Sequence, residues 1–397
     1  MLSPKKTVEA LEAKRELWRQ AYQLAGEQAV LVRRALAEFR ALSATDILER
    51  ISTNSWPGAR PTAEHDLYRD QVVPFSHTFA SHEQARAWAA QSLLGQPTFA
   101  ADGSQITPLS EYPLLVAAAQ VAWYLNYHEP GGRHEKDLAI EVFIGDELGN
   151  SDETGATHVQ TRRFQMEVEA IISFMLRSET MVPHPVCFLD GPLVVSFASP
   201  YAAHRRSIYV TAISRLLEAA EALRIPVIGY IADSSASDLL HLLYAVGLLP
   251  AKPTATDIGA LHKLITAWGE RSVTYICARD DGVLSTYSRH DGSPLSDQIA
   301  FLYLRTTGNG PLARLELPRW LAEDQAELER VLNVVRAECV IGLGYPYAIE
   351  AADQTAVLDS KDRERFKQIV AGFAANLELN LRVTPKARSK QRRRLGV

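Results

Sequence analysis

The sequence predicts a mixed α/β fold, in which helices flank a mixed sheet and a helical arm precedes the core. Apolar runs of strand character alternate with longer segments of helical periodicity, and the first part of the chain repeats leucines among charges. The 397 residues are 47% hydrophobic, which is ample for a large core. We expect an arm over residues 1–50, a linker with a short helix over 51–95, a main domain over 96–380 and a basic tail over 381–397.

The arm is predicted to be helical from the spacing of its leucines. Leu17, Leu24 and Leu31 recur every seven residues, and charged residues fill much of the remainder. Such a stripe suits a partner helix, and it equally suits packing on the chain's own domain. The sequence leaves both alternatives open.

The main domain begins with elements in a characteristic order. We expect a strand that ends at Asp102, in front of a Gly-Ser turn, and then a hairpin that turns at Gly131-Gly132. A helix is predicted over residues 159–178, and the next buried strand ends at Asp190. Helices and strands then alternate through the rest of the domain.

Three acidic residues, Asp102, Glu167 and Asp190, stand on these elements. In a ribonuclease H-like sheet the first and fourth strands are neighbours, and a helix can direct a carboxylate toward both, so we expect the three side chains to converge. Clustered carboxylates repel one another, and a hard divalent cation such as Mg²⁺ or Mn²⁺ relieves this repulsion by accepting oxygen ligands. Two such ions about 3.5–4 Å apart promote hydrolysis of a phosphodiester.

Each of these acids also has a purely structural interpretation. Asp-Gly is a common turn dipeptide, which applies to both Asp102 and Asp190. Glu167 could be a surface residue paired with Arg163 one helical turn earlier. Glu169 competes with Glu167 because the two point to different faces of the helix. We favour Glu167, and the order of the three acids on suitable elements carries the prediction.

Several short segments resemble successive signatures of the NurA nuclease family. They are Phe99-Ala-Ala-Asp102-Gly-Ser104, Phe188-Leu-Asp190-Gly-Pro-Leu193, Pro226-Val-Ile-Gly-Tyr-Ile231, Leu295-Ser-Asp297 and Gly344-Tyr-Pro-Tyr347 with Ala352-Asp353. Together, in this order, they cover most of the predicted main domain.

The resemblance implies a ribonuclease H-like fold and a nuclease that acts on DNA ends. It implies 5'-3' exonuclease and single-strand endonuclease activity in double-strand break end resection, with Mn²⁺ or Mg²⁺ as cofactor. Asp102, Glu167 and Asp190 are, by resemblance, the catalytic residues and metal ligands. The implied partners are DNA, a hexameric HerA-type ATPase and a second copy of the chain in a homodimer.

Two positions depart from the family pattern. Pro192 stands where the family commonly has Ser; it removes a backbone donor but leaves Asp190 in place. Asp353 stands where some members have His, and an Asp can ligate the metal but cannot donate a proton at neutral pH. We expect Asp353 to be a fourth ligand. The departures leave open an alternative function, a non-catalytic adaptor that binds the ATPase or DNA, and the fold alone does not exclude an RNA substrate.

The charge balance bears on the nature of the partners. The formal net charge is −5, which weighs against general affinity for nucleic acid but permits a local basic groove. Arg162, Arg163, Arg205 and Arg206 are candidates to line a phosphate path, although each could equally be an ordinary solvated residue.

The remaining composition indicates the cellular setting. The three cysteines are far apart in the sequence, which argues against a disulfide framework and favours a reducing cytoplasm. No apolar run reaches the ~20 residues of a membrane-spanning helix, so we expect a soluble cytoplasmic protein. The GxxxxGK[ST] phosphate-binding loop does not occur, so we expect no nucleotide hydrolysis by this chain.

Overall fold

The computed structural model describes residues 2–109, 112, 114–148 and 154–379. Its helices are α1 (Pro4–Glu12), α2 (Arg15–Phe39), α3 (Ala44–Arg50), α4 (Glu64–Leu67), α5 (His82–Leu93), α6 (Gly155–Arg177), α7 (Ala203–Leu223), α8 (Asp238–Ala245), α9 (Asp257–Leu261), α10 (Arg319–Glu323), α11 (Gln325–Ile341), α12 (Tyr347–Ala356) and α13 (Ser360–Asn376). Its strands are β1 (Gly58–Pro61), β2 (Val72–Val73), β3 (Thr98–Ile106), β4 (Val116–Asn126), β5 (His134–Ile144), β6 (Val186–Asp190), β7 (Val227–Ile231), β8 (Arg271–Ser272), β9 (Tyr275–Ala278), β10 (Ile299–Leu304) and β11 (Ala313–Pro318). The predicted basic tail over 381–397 lies outside the described residues.

The described elements form a mixed α/β fold with a mixed sheet of eleven strands and flanking helices, as the sequence predicted. The chain divides into two compact units. The first unit comprises residues 1–77, 232–280 and 300–314, and the second comprises residues 78–231, 281–299 and 315–397.

The sheet of the second unit has the predicted ribonuclease H-like arrangement. Its strand order is β7-β6-β3-β4-β5, with β3, β4 and β5 antiparallel and with β6 parallel to both β3 and β7. The first and fourth strands of this unit, β3 and β6, are therefore neighbours. The predicted hairpin is also confirmed, because β4 and β5 pair on either side of Gly131 and Gly132, whose φ angles are 107° and 74°.

The strand that carries Asp102 is longer than predicted. It continues to Ile106, and both Gly103 and Ser104 pair with β4. The expected turn after Asp102 is wrong because β4 supplies backbone partners along this stretch. Asp102 therefore lies within the strand, and Gly103 faces the opposite side of the sheet.

Helices pack on both faces of this part of the sheet. On the face of Gly103, Phe99 stacks on Phe174 of α6 with ring centroids 4.0 Å apart. On the face of Asp102, the side chain of Gln120 donates a hydrogen bond of 3.1 Å to the carbonyl of Ala356 in α12. The residues of β3 thus contact α6 and α12 alternately.

The first unit contains a fully buried ion pair. In this unit, strands β1 and β10 both pair with β9, and strand β8 pairs with β2 and β10. Arg271 of β8 donates to both carboxylate oxygens of Glu64 in α4, at 2.9 and 2.6 Å, and each side chain is only 1% exposed. Removal of either partner would leave an uncompensated buried charge.

The N-terminal arm lies in the first unit, and its two halves differ in packing. Leu17, Leu24 and Leu31 are 63%, 58% and 44% exposed, so the predicted apolar stripe is not covered by the described residues. Phe39 and Ile47, in contrast, are fully buried. No helix in the described part of the chain combines the length and the apolar character needed to cross a lipid bilayer.

Candidate active site

Four acidic side chains of the second unit lie close enough to influence one another's ionisation. Asp102 is the first residue of β3 beyond its pairing with β6, and Asp190 is the last residue of β6. Glu167 lies on α6, and Asp353 lies on α12. Each of the four interacts electrostatically with at least two of the others. The structure therefore brings near one another the four acids that the sequence assigns to the site: Asp102, Glu167, Asp190 and Asp353.

The carboxyl group of Asp102 lies within hydrogen-bonding reach of that of Asp353. Two carboxyl groups can share a hydrogen bond only when one of them carries a proton. Burial, this hydrogen bond and the charges of Asp190 and Asp353 raise the pKa of Asp102 to about 6, although the backbone of Gly103 opposes the shift. Without a cation, Asp102 thus holds a proton more tightly than a solvated carboxylate would.

A buried glutamate fixes the helix that supplies Asp353. Glu338 of α11 accepts a hydrogen bond of 2.8 Å from the backbone nitrogen of Ala348, in the first turn of α12. Its other oxygen accepts a hydrogen bond of 2.9 Å from Thr98, the first residue of β3. Because α12 and β3 share this partner, the relative positions of Asp353 and Asp102 are held from the protein interior.

Asp190 is oriented by a tyrosine from the segment before α12. The hydroxyl of Tyr345 donates a hydrogen bond of 2.5 Å to Asp190 Oδ1. Tyr230 supports this residue, since its ring meets that of Tyr345 edge-on at 5.1 Å and its hydroxyl donates to the carbonyl of Gly344. Partial burial raises the pKa of Asp190, while the Tyr345 hydroxyl opposes the shift.

Pro192 does not disturb this arrangement. Asp190 keeps its hydrogen bond to Tyr345, and Gly191 donates its backbone N–H to the carbonyl of Tyr230 at 3.1 Å. The missing N–H of Pro192 therefore leaves the carboxylate at the end of β6 in place.

Glu167 approaches the other acids from the opposite face of the sheet. Its carboxylate accepts a hydrogen bond from Arg163, which also donates to the carbonyl of Gly103 at 3.1 Å. A side chain at Gly103 would overlap the Glu167 carboxylate and come within 2.7 Å of Arg163 Cγ, so the glycine creates the space for this ion pair. The pairing with Arg163 was the structural alternative for Glu167, yet Glu167 is only 6% exposed.

The ionisation of Glu167 reflects this buried position. Burial raises its pKa to about 8, and the charges of Asp102 and Asp190 act in the same direction while Arg163 opposes them. Glu167 can therefore hold or release a proton near neutral pH.

Glu169 faces away from this cluster. It accepts two hydrogen bonds of 3.0 Å from Arg162, which also binds Glu141 of β5. Glu169 is thus part of a separate surface ion-pair network. The guanidinium of Arg162 is likewise already neutralised by two carboxylates, which makes it a poor phosphate ligand.

The donor set fits Mg²⁺ or Mn²⁺ by its chemistry. Mg²⁺ commonly binds through one or two carboxylates and completes its shell with water and phosphate oxygens. Asp102 and Asp353 form such a pair, beside Asp190. Among the described residues, no three Asp, Glu, His or Cys side chains are arranged to hold one ion together. Glu167 in particular is engaged with Arg163.

The cluster predicts an unusual pH dependence of stability. The pKa of Asp102 in the folded protein is about 6, above the value of ~3.9 expected when the chain unfolds. The folded state therefore binds more protons between these values, and its stability falls as pH rises through this window. In EDTA at pH 8, we expect Asp102→Asn to stabilise the protein by about 1–2 kcal/mol, after allowance for solvent screening.

Urea denaturation of both proteins in EDTA, at pH 4.5 and pH 8, measures this effect. The advantage of Asp102→Asn should shrink at pH 4.5, where the wild-type carboxyl is protonated. If Asp102→Asn is no more stable than the wild type at pH 8, the ionised Asp102 carboxylate does not destabilise the metal-free protein.

Asp353→Ala should weaken Mn²⁺ binding at least about tenfold, because the variant removes the carboxyl group within hydrogen-bonding reach of Asp102. Asp353→His should retain binding, since imidazole is also a ligand for Mn²⁺. Titration of Mn²⁺ by calorimetry or electron paramagnetic resonance measures the affinity. Gln354→Ala, an exposed change at the next position of α12, serves as the control. Equal affinities in all these proteins would assign Asp353 a purely structural role.

Comparison with known proteins adds a family relationship. Residues 97–358, well over half of the chain, match the family model of the NurA domain. No curated protein matches the chain in sequence. Among solved structures, the catalytic domain of human endonuclease V aligns with 78% of this chain and 95% of its own, at 14% identity and a TM-score of 0.32. A TM-score this low supports no conclusion about the function of this chain.

Proposed function

Because the chain belongs to the NurA family, which is a family of nucleases, we propose that it is a divalent-cation-dependent nuclease that acts on DNA ends. The observation that carries the proposal is the convergence of Asp102, Glu167, Asp190 and Asp353 from two strands and two helices. All four lie within the region that matches the family. Raised carboxyl pKa values are typical of functional sites, and those of Asp102, Glu167 and Asp190 are all raised here.

We propose that Asp102 and Asp353 bind the cation and that Asp190, which lies beside them, joins its coordination when the ion is present. When bound, Mn²⁺ or Mg²⁺ supplies the charge that activates water and stabilises the leaving oxygen of a phosphodiester. Tyr345 keeps the Asp190 carboxylate oriented through its hydrogen bond. Glu167 completes the site from α6, either as a ligand after release from Arg163 or as a group that exchanges a proton near neutral pH.

Cleavage of end-labelled DNA is the direct test. The purified protein is incubated with linear duplex and with single-stranded DNA, in Mn²⁺, in Mg²⁺ and in EDTA. We expect shortening from the ends with either cation and none in EDTA. An intact substrate under all conditions, with bound DNA detected, would favour the adaptor of the same fold.

The finer activities follow from the same resemblance. We propose 5'-3' exonuclease and single-strand endonuclease activity in the resection of double-strand breaks, in the cytoplasm. Labels at the 5' and at the 3' end distinguish the polarity, and an RNA of the same sequence tests whether the sugar matters. Equal cleavage of RNA and DNA would replace the DNA assignment.

We further propose that the chain works as a homodimer together with a HerA-type hexameric ATPase. The exposed leucines of the arm, Leu17, Leu24 and Leu31, offer an uncovered apolar stripe for such a contact. An isolated helix is marginally stable in water, so the arm gains order from a subunit or partner. Two subunits would present one active site to each strand of a duplex.

Deletion of residues 1–27 should impair dimer formation or ATPase binding while Mn²⁺ affinity stays unchanged. The deletion stops before the buried part of the arm, where Phe39 and Ile47 belong to the core. Size-exclusion chromatography with light scattering, with and without the ATPase, measures the assemblies. A full-length chain that stays monomeric at high micromolar concentration in both experiments would refute this proposal.

A further inference from the structure

A group of four aromatic rings and one arginine lies in the second unit, on segments that carry or follow two of the proposed site acids. We call Phe164, Phe197, Tyr201, Tyr209 and Arg205 the aromatic cluster. Tyr209 is its centre: its ring lies 4.9 Å from that of Phe164, 5.3 Å from that of Phe197 and 5.9 Å from that of Tyr201, measured between centroids.

The cluster is only partly a core. Tyr209 is 2% exposed, but Phe197 is 42% exposed and Tyr201 is partly exposed. Several rings therefore present surface to solvent around one buried ring. A fold that needed these rings only for packing would gain more by burying Phe197.

Arg205 is held among these rings as a fixed cation. Its guanidinium lies 3.8 Å from the centre of the Tyr201 ring, and its Nε donates to the hydroxyl of Thr161 at 3.2 Å. Among the described residues, no carboxylate forms an ion pair with Arg205 or with Arg206, whose Nη1 donates to the carbonyl of Ser199. In a chain of net charge −5, two arginines without an acidic partner form a local site for anions.

The cluster adjoins the proposed active site along the chain. Helix α6 carries Glu167, one of the four acids, together with its partner Arg163. Phe164, the residue after Arg163 on the same helix, belongs to the aromatic cluster. Phe197 lies in the short helix Ser196–Ala198, which follows Asp190 and β6. Two of the segments that present the acids, α6 and the chain after β6, therefore each present one ring of the cluster as well.

We propose that the aromatic cluster binds the unpaired bases of a single-stranded DNA end. Bases stack on Phe197 and Tyr201, while Arg205 and Arg206 bind the backbone phosphates. Exposed rings interleaved with arginines are the chemistry by which proteins bind single strands without reading sequence. Paired bases are stacked within the duplex and cannot use these rings. The inference rests on the proposed nuclease function and adds a site for the strand that is to be cut.

Fluorescence anisotropy tests the proposal by measuring, in EDTA, how tightly the protein binds a fluorescein-labelled oligothymidylate of 20 nucleotides. We expect Phe197→Ala and Tyr201→Ala each to weaken binding by roughly five- to a hundredfold, the range of one lost base stack. Phe197→Trp should restore the affinity, because the larger ring still stacks. Phe373→Ala, at a 61% exposed position on α13, is the matched control and should bind like the wild type.

A blunt-ended duplex of the same length provides the second probe. Phe197→Ala should change its affinity little, so that only single-strand binding depends on the ring. Unchanged single-strand affinity in Phe197→Ala, or equal losses for both probes, would overturn the proposal. Because EDTA prevents cleavage, this result does not depend on activity; a protein that binds as expected but never cuts DNA would refute the nuclease assignment alone.

Discussion

Asp102→Asn should abolish Mn²⁺-dependent cleavage of linear DNA while the protein remains folded, and Asp190→Asn should do the same. The two carboxylates come from neighbouring parallel strands, and in the proposed site each would supply a separate oxygen to the cation. The charge of a bound ion is worth several kcal/mol in the transition state, and we therefore expect a loss on the order of a thousandfold or more.

The rate of degradation of end-labelled DNA, at saturating Mn²⁺, measures this effect. Asp137→Asn is the matched control, because Asp137 is exposed on β5 and belongs to no proposed site. Circular dichroism shows whether the variants fold. Cleavage by Asp102→Asn at a near wild-type rate would exclude Asp102 from the proposed active site, whatever the activity of Asp190→Asn.

Glu167→Gln should reduce cleavage by about a hundredfold or more, whereas Glu169→Gln should change it by less than about threefold. Glu167 is buried beside Asp102 and Asp190 and has a pKa of about 8, so its charge and its proton both affect the site. Glu169 lies in the ion-pair network of Arg162 and Glu141, which is partly exposed. The two substitutions are chemically identical and differ only in the helix face that they alter.

Rates measured over a range of pH separate the possible roles of Glu167. A carboxyl that exchanges a proton gives a pH–rate profile whose inflection disappears in Glu167→Gln. A ligand gives instead a loss of Mn²⁺ affinity. If Glu169→Gln is the more damaging variant, the helix acid is misassigned and α6 must present its other face to the site.

The sequence predicted the sheet better than it predicted the ends of its strands. The order of strands, hairpin and helix follows from apolar periodicity, and the adjacency of β3 and β6 was expected because a ribonuclease H-like sheet places its first and fourth strands side by side. The extension of β3 through Gly103 was not, since Gly-Ser is locally a turn signal and only the pairing with β4 overrides it. Local propensity yields to tertiary context at this point.

The site was predictable as a list of acids but not as a set of contacts. The sequence alone could not decide between Glu167 and Glu169, because the burial of Glu167 against Gly103 exists only in the folded sheet. Tyr345 was visible as part of a motif, yet its hydrogen bond to Asp190 joins residues 155 positions apart. Arg205 was a candidate phosphate ligand by charge alone, and its place among aromatic rings required the packing of α6 on α7.

Asp102 and Glu167 belong to different layers of the molecule, because one side chain extends from the strand and the other reaches it from α6 across Gly103. The separation of these two acids is therefore set by how closely a helix lies on a sheet. Phe99 and Phe174, stacked 4.0 Å apart, help to fix that spacing. Variation at these two apolar positions would change the geometry of the acids without altering any of them. A change in packing at Phe174 would therefore alter the geometry of the proposed site from within the core.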